Sequence, residues 1–192
     1  MYATIYEEAQ GIVFVSETTA ADQSMNLGGR NGHVYSCLAV DDGSERIFFY
    51  DKTLDLIGYS SFADDGVQDV IFGTGDVLAI DYDEADDKIV FSNASNQVWL
   101  YNGDGSVDRQ LATAAGEVTS VQYYAAYKKV YFVANETIWS VNVDGSGLDD
   151  MLVLTGTGVT DLAVEADQTI PTVTSRYPAD GQTGITLSLI HI

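Results

Sequence analysis

The chain has 192 residues, of which 46% are hydrophobic and 11% aromatic, enough to form a core. It carries 29 acidic and 8 basic side chains, and its formal net charge is −21 at neutral pH. A surface this acidic repels nucleic-acid phosphates and anionic lipid headgroups, which argues against both classes of partner. No apolar run reaches the ~18 residues of a membrane-spanning helix, and the single cysteine, Cys37, excludes an internal disulfide.

A unit of roughly forty residues repeats along the chain, most clearly between residues 77 and 158. Val77 and Val118 open two copies 41 residues apart, and Ile89-Val90-Phe91 of the first returns as Val130-Tyr131-Phe132 in the second. Each copy holds short alternating apolar runs between Gly, Asn and Asp clusters, which predicts β-strands and turns. The predicted fold is therefore all-β, with antiparallel four-stranded blades of a partial β-propeller.

Four blades are predicted, at residues 3–36, 37–76, 77–117 and 118–158. The first is several residues shorter than the others, and its strands are expected at 3–5, 12–14, 24–27 and 33–36. The second is recognised because Leu38-Ala39-Val40-Asp41 returns 40 residues later as Leu78-Ala79-Ile80-Asp81. One further inner strand is expected within 159–165, and the propeller region as a whole at 1–166. We interpret the chain as part of a larger, six-bladed parent that supplies the missing blades.

The second strands of the repeats carry a resemblance to a known family. They read IVFVS, IFFYD, IVFSN and VYFVA, and Asp-Gly-Ser turns follow the third strands of the last two copies. This pattern resembles the YWTD class of β-propeller, found in low-density-lipoprotein receptors and bacterial surface proteins. Asp51 keeps the final acid of that motif and Asn93 is a near substitute, whereas Ser16 and Ala134 depart from it. The resemblance covers roughly residues 3–165 and implies a binding propeller at a cell surface.

The composition changes after residue 166. Residues 167–186 contain both prolines, and their Pro171-Thr172-Val173 and Pro178-Ala179-Asp180-Gly181 segments resemble the first strand and turn of a bacterial S-layer (SbsA) type Ig-like domain. Proline fixes φ and Asp-Gly favours a tight reversal, so a linker and the start of a second domain are expected. Residues 187–192 resemble a translated sequencing adaptor, with a second Ig strand as the alternative.

Three acids are the candidates for a metal site. Asp41, Asp81 and Glu165 stand at what the repeats indicate are matching inner-strand ends, so they would converge near the propeller axis. Carboxylates are preferred ligands of Ca²⁺, but a role in the repeat structure is favoured, and no cofactor is predicted. His33 is the only histidine outside the suspected adaptor, which excludes a zinc site of several histidines and leaves one candidate for a Ser-His-Asp triad.

Four tyrosines are the candidates for partner binding: Tyr82, Tyr123, Tyr124 and Tyr127. They follow the ends of predicted inner strands, where they would line one face of the propeller. Tyrosine is enriched at protein interfaces. The favoured alternative is packing between neighbouring blades, since aromatic side chains dominate such cores.

The repeats, the Ig-like start and the lack of a concentrated titratable cluster favour a non-catalytic binding or scaffolding module. Its partner is expected to be a protein or a glycan. An extracellular or cell-surface location follows from the resemblance alone, because the first residues do not form a signal peptide. The alternative is a fragment of a propeller lyase or hydrolase with a carboxylate or metal site on the central axis.

Overall fold

A computed structural model describes residues 2–6, 12–16, 24–26, 32–61, 67–153 and 160–164. These residues form fifteen β-strands and one short 3-10 helix, Ala125–Tyr127, which confirms the predicted all-β fold. Within this part of the chain no helix is long and apolar enough to cross a bilayer. The expected Ig-like start at 167–186, the suspected adaptor at 187–192 and Glu165 lie outside the described residues.

The strands form four antiparallel sheets that follow one another along the chain. The first sheet contains β1 (Tyr2–Tyr6), β2 (Ile12–Ser16) and β3 (Ser24–Asn26); the second contains β4 (Tyr35–Asp41), β5 (Arg46–Asp51), β6 (Leu56–Ser61) and β7 (Val67–Phe72). The third contains β8 (Val77–Asp83), β9 (Lys88–Asn93), β10 (Gln97–Asn102) and β11 (Val107–Thr113); the fourth contains β12 (Val118–Tyr124), β13 (Lys129–Ala134), β14 (Thr137–Asn142) and β15 (Asp149–Val153). Each strand pairs with its neighbour in sequence, so every sheet is a meander.

The sheets stack side by side through their first strands, with β4 between β1 and β8, and β8 between β4 and β12. In the second, third and fourth sheets the second strand is buried on both faces, as β5 shows with Ile47, Phe48, Phe49 and Tyr50 all buried. A strand covered on both faces reads as a continuous apolar run, because each face meets another layer. The apolar second strands of the repeats are therefore the centres of the sheets.

Among the residues whose burial is described, two hydrophobic cores lie between the sheets. The core between the second and third sheets includes Phe48, whose ring stacks on Tyr82 at 4.7 Å between centroids. The core between the third and fourth sheets includes Val90 and Phe132. Strand β9 contributes to both, with Phe91 in the former and Val90 in the latter. The third sheet therefore connects the two cores.

The expected fourth strand of the first blade, at 33–36, is wrong. Tyr35 and Ser36 instead open β4, where they pair with Asp51 and Tyr50 of the second sheet. Cys37, with a φ of 54°, forms a bulge between Ser36 and Leu38 without ending the strand, so β4 continues through the expected boundary at 36/37. The first sheet has three strands within the described residues.

Residues 160–164 lie against β12 but are not a strand. The Ser120 hydroxyl donates to Asp161 Oδ1 at 2.7 Å, and the Val164 N–H donates to Gln122 Oε1 at 2.5 Å. These contacts put the segment beside β12 on the side away from β8. The expected inner strand within 159–165 is thus absent over the described part, and no described strand pairs with it.

Candidate functional site

The meander gives the assembly two faces that differ in their turns. Because strands alternate in direction, the first and third turns of a sheet lie at one end. Two hydrogen bonds confirm this, from Gly103 N to Asp87 O at 2.8 Å and from Val143 N to Lys128 O at 3.0 Å. We call this end the Asp-Gly face; it carries turns 42–45, 84–87, 103–106, 125–128 and 143–148. The opposite face carries turns 52–55, 73–76, 94–96, 114–117 and 135–136.

Tyr82 lies between the second and third sheets, close to the Asp-Gly face, and is only 8% exposed. Its hydroxyl accepts a hydrogen bond from Arg46 Nη2 at 2.9 Å and donates to Asp87 Oδ1 at 2.8 Å. Burial, and then the hydrogen bond to Asp87, raise the pKa of Tyr82. This side chain fills a core and links two sheets, so its hydroxyl is already engaged within the protein.

Arg46 is the cation of this link. Its Nε donates to Asp41 Oδ2 at 2.7 Å, and its guanidinium lies 5.2 to 5.4 Å from the ring centres of Phe48, Tyr59 and Tyr82. A guanidinium over aromatic faces is stabilised by the ring quadrupoles. Arg46 is therefore held by its own sheet and by the next one.

Tyr123 occupies the same place one sheet later and is 5% exposed. Its hydroxyl donates to Asp86 Oδ2 at 2.5 Å, and Lys128 Nζ contacts the same carboxylate. Burial raises the pKa of Tyr123, and so does the hydrogen bond to Asp86. Tyr82 and Tyr123 thus pack between neighbouring sheets, which is the alternative to binding a partner.

The other two tyrosines remain accessible on the Asp-Gly face. Tyr127, in the 3-10 helix, is 67% exposed. Its ring meets the half-buried Tyr124 edge-on, with 5.3 Å between centroids. Of the four predicted tyrosines, this pair has surface left for a partner.

Asp41 and Asp81 do not occupy matching positions, which corrects the alignment of the repeats. Asp41 pairs with Arg46, the first residue of β5, whereas Asp83 pairs with Lys88, the first residue of β9. Asp81 lies two residues further in. A shift of two residues keeps every side chain on the same face of a strand, so the apolar pattern aligned equally well at 40 and at 42 residues.

Both acids are engaged within the protein. Asp41 is fully buried and accepts from Arg46 and from Ser44 N at 3.1 Å. Asp81 Oδ2 accepts from Tyr123 N at 2.8 Å, which joins β8 to β12. Burial raises the pKa of Asp81 to about 6, although hydrogen bonds from backbone N–H groups oppose the rise. In the described part of the chain, no three His, Cys, Asp or Glu side chains are grouped closely enough to hold a metal.

The remaining motif residues stabilise turns or pack inside. Asp51 is fully buried and accepts from Thr53 N at 2.9 Å, and His33 Nδ1 lies 2.7 Å from its Oδ2. Cys37 is directed at the Leu78 carbonyl at 3.1 Å, and burial raises the pKa of its thiol. These contacts give the final acid of the motif and the single cysteine structural roles.

In the described part of the chain, two grooves open on the Asp-Gly face. The wide groove, of about 710 Å³, lies between the second and third sheets and is lined by residues that include Tyr59, Asp69, Tyr82, Glu84, Asp87 and Asp104. The narrow groove, of about 300 Å³, lies between the third and fourth sheets and is lined by residues that include Asp86, Lys88, Asp108, Arg109, Tyr123 and Lys128. Neither groove was predicted from the sequence. One signal was present: a basic residue opens β5, β9 and β13.

A third cavity, of about 330 Å³, lies along the first strands and is lined by residues that include Cys37, Asp81, Ser120, Gln122 and Asp161. We call it the central cavity. Its polar side chains make hydrogen bonds between the first strand of one sheet and the segment that follows it around the cavity, as Asp81 of β8 does with Tyr123 of β12. The cavity is thus built from the contacts that hold the sheets together.

Many solved structures resemble this arrangement, including these two. A nidogen/laminin complex matches with a TM-score of 0.64 and 16% identity, over 74% of this chain and 59% of that chain. The WD40 β-propeller domain of Doa1 matches with a TM-score of 0.57 and 15% identity, over 78% of this chain and 49% of that one. The fold is that of a β-propeller. The four sheets are its blades, numbered here in chain order.

The propeller assignment rests on structure alone. No protein-family model matches the sequence, and no curated protein does. At 15 to 16% identity these two structures show the fold and nothing finer. Membership of the YWTD class therefore stays a prediction, and the chain spans 59% and 49% of these two chains.

Proposed function

We propose that this propeller is a binding module that recognises a protein partner on its Asp-Gly face. The observation that carries the proposal is the exposed Tyr127, which is held against Tyr124 on that face. A tyrosine offers a large contact area at a low cost in side-chain entropy, and such residues dominate interface hot spots. Its neighbour Tyr124 restricts the ring before a partner arrives.

The comparison adds support for a protein partner. One of the similar structures is a complex of nidogen with laminin. From that complex, and from the resemblance to receptor propellers, we infer a protein rather than a glycan as partner and an extracellular or cell-surface location. A scaffolding role in a larger chain follows from the same reasoning. No cofactor is needed for this function.

The proposal is tested with partner proteins captured from the culture medium of the source organism on the immobilised full chain. A captured protein is purified, and its affinity is then measured for the wild type and two variants. Tyr127→Ala is expected to weaken binding about thirtyfold, the effect of losing a hot-spot tyrosine. Phe72→Ala is the matched control, because Phe72 is 68% exposed at the opposite face.

Two results would contradict the proposal. One is that no captured protein binds saturably to the purified chain. The other is that affinity falls with Phe72→Ala and stays unchanged with Tyr127→Ala.

An enzyme with its site in the central cavity is the second candidate. Asp81 lines that cavity and has its pKa raised to about 6 by burial, and perturbed carboxyls are candidates for general acid–base work. This function is the less favoured of the two because the Asp81 carboxylate already accepts a hydrogen bond from Tyr123 N. Lyase and hydrolase assays on a polysaccharide panel test it, with Asp81→Asn as the variant that must abolish any activity found. Calorimetry with CaCl₂ tests whether such a site uses calcium.

A further inference from the structure

The two grooves on the Asp-Gly face are built from equivalent positions of the repeat. Arg46 and Lys88 both open a second strand and face the last residue of the first strand. Asp87 and Lys128 both precede a second strand, with φ of 50° and 51°. Gln68 and Arg109 both pair with a third-strand residue, Tyr59 and Leu100 respectively. Differences between the grooves therefore reflect side chains at matched places.

The narrow groove is filled by its own cations. Lys88 Nζ lies 2.9 Å from Asp108 Oδ2, and Arg109 Nε lies 3.1 Å from Asp108 Oδ1. Lys128 Nζ binds Asp86. Asp86 and Asp108 are thus each paired with a lysine or arginine from within the chain, whereas the carboxylate of Asp144, which also lines this groove, accepts from Ser146. The two ion-paired acids show that this groove geometry accommodates cationic side chains.

The wide groove has lost two of those three cations. Asp87 stands in the place of Lys128, and Gln68 stands in the place of Arg109. The third cation, Arg46, binds Asp41 at 2.6 Å and is 3.9 Å from Asp87. Four carboxylates, those of Asp69, Glu84, Asp87 and Asp104, line a space of about 710 Å³, against about 300 Å³ for the narrow groove.

The surroundings favour a cationic side chain over a metal ion as the occupant. Glu84 accepts from Gly43 N at 3.2 Å, and Asp87 accepts from the Tyr82 hydroxyl at 2.8 Å. Both of these donors are neutral, so these hydrogen bonds leave the charges of the two carboxylates uncompensated. Clefts lined by one sign of charge concentrate ions of the opposite sign. The rings of Tyr59 and Tyr82 line the same space but already face the Arg46 guanidinium, so the carboxylates rather than the rings would hold an incoming cationic group. The described residues contain no group of three metal-ligating side chains.

We propose that the wide groove receives a lysine or arginine side chain of a protein partner, whose charged group takes the place that Lys128 and Arg109 fill in the narrow groove. The inference rests on the proposed function, because it assumes a protein partner on the Asp-Gly face. It adds the groove that recognises the partner and the chemistry that the partner presents.

The probe is the peptide acetyl-Gly-Gly-Arg-Gly-Gly-amide, titrated into the ¹⁵N-labelled full chain and followed by NMR. The same peptide with citrulline in place of arginine is its neutral control. Saturable shifts are expected at the amides of Tyr82, Glu84, Asp87 and Gly103 with the arginine peptide and not with the citrulline peptide. Shifts of equal size with both peptides, or no saturable shifts with the arginine peptide, overturn the inference.

Matched variants separate recognition from bulk charge. Glu84→Gln with Asp87→Asn removes two groove carboxylates and keeps an acceptor for the Tyr82 hydroxyl; it is expected to weaken peptide binding about tenfold. Glu117→Gln with Glu136→Gln removes the same charge from exposed positions on the opposite face and is expected to leave the affinity unchanged. Equal losses in both double variants overturn the inference, because they would show that only net charge matters.

A charge-reversal variant completes the test. Asp87→Lys copies Lys128 at a position with the same backbone conformation, so it is expected to close the wide groove from within and abolish peptide binding. Its folding is checked by its melting temperature. If the captured partner is lost with Tyr127→Ala and retained with Asp87→Lys, this inference fails and the proposed function stands. If it is insensitive to Tyr127→Ala, the proposed function itself fails.

Discussion

Several aspartates in this chain are buried and accept hydrogen bonds that hold turns and strands together, a role that the net charge does not indicate. Asp41 and Asp51 are both fully buried, and each accepts hydrogen bonds from a backbone N–H and from a basic side chain. A buried carboxylate is tolerated when several donors satisfy it. Asp81 differs, because its carboxylate accepts across the blades from a backbone N–H, that of Tyr123. Acids of the same type therefore differ in what their burial costs.

The raised pKa of Asp81 predicts a pH-dependent stability. Burial raises this pKa from 3.8 to about 6, and the charge of Asp83 adds to the rise. A carboxyl that binds its proton more tightly in the folded state stabilises the fold at low pH, and that stabilisation is lost as the pH rises through about 6. An asparagine at this position does not ionise, so the Asp81→Asn variant does not lose this stability as the pH rises. We expect the variant to be more stable than the wild type by about 3 kcal/mol at pH 8, and by less at pH 4.5.

Urea unfolding at both pH values measures this difference. Asp42→Asn, at an exposed turn position, is the control and is expected to change the free energy of unfolding little at either pH. A stability difference for Asp81→Asn that stays constant from pH 4.5 to pH 8 would contradict the prediction.

At the scale of the elements, the length of the turn after the second strand explains which blades keep the acid of the motif. Asp51 precedes the four-residue turn 52–55 and accepts from Thr53 N and Leu54 N. Asn93 precedes the shorter turn 94–96 and accepts from Ser95 N and Gln97 N. Ala134 precedes a two-residue turn whose residues both have positive φ. Such a turn closes a hairpin without a side-chain acceptor, so the acid is dispensable there.

The hydrogen bonds of two tyrosine hydroxyls between blades lead to a prediction about stability. Tyr82→Phe removes the hydroxyl that joins Arg46 to Asp87, and Tyr123→Phe removes the one that donates to Asp86. Each variant is expected to lower the free energy of unfolding by about 1 kcal/mol, the net value of a part-buried hydrogen bond. Because the two hydroxyls lie at different blade boundaries and share no partner, the losses are expected to add in the double variant.

Chemical denaturation of the two single variants and the double variant forms a complete cycle. A coupling energy near zero supports independent links. A double variant that loses far less than the sum of the single losses would show that the two blade boundaries act as one unit.

At the scale of the whole molecule, the sequence predicts the architecture well and the candidate site poorly. The repeat period and the apolar second strands predict four-stranded blades because both follow from local patterns. Whether Asp41 and Asp81 occupy matching positions depends on how the strands pair. An alternating sequence does not show this, because a shift of two residues gives the same apolar pattern. The grooves depend on which side chains meet across blades, as Tyr123 meets Asp86 at a separation of 37 residues. Neither the pairing nor the contacts between blades are encoded in a single repeat.

The stacking of blades also predicts how the molecule unfolds. Phe48 lies in the core between blades 2 and 3, and Phe132 lies in the core between blades 3 and 4. In repeat architectures each unit contacts only its neighbours, so damage to one boundary stays largely local. Phe48→Ala and Phe132→Ala each remove a fully buried ring, at a cost of about 3 to 5 kcal/mol. Amide hydrogen exchange is expected to lose protection mainly in β5 and β8 for the first variant, and mainly in β12 and β13 for the second. Uniform loss across all three four-stranded blades in both variants would instead show a single cooperative unit, with β9 transmitting the damage because it packs into both cores.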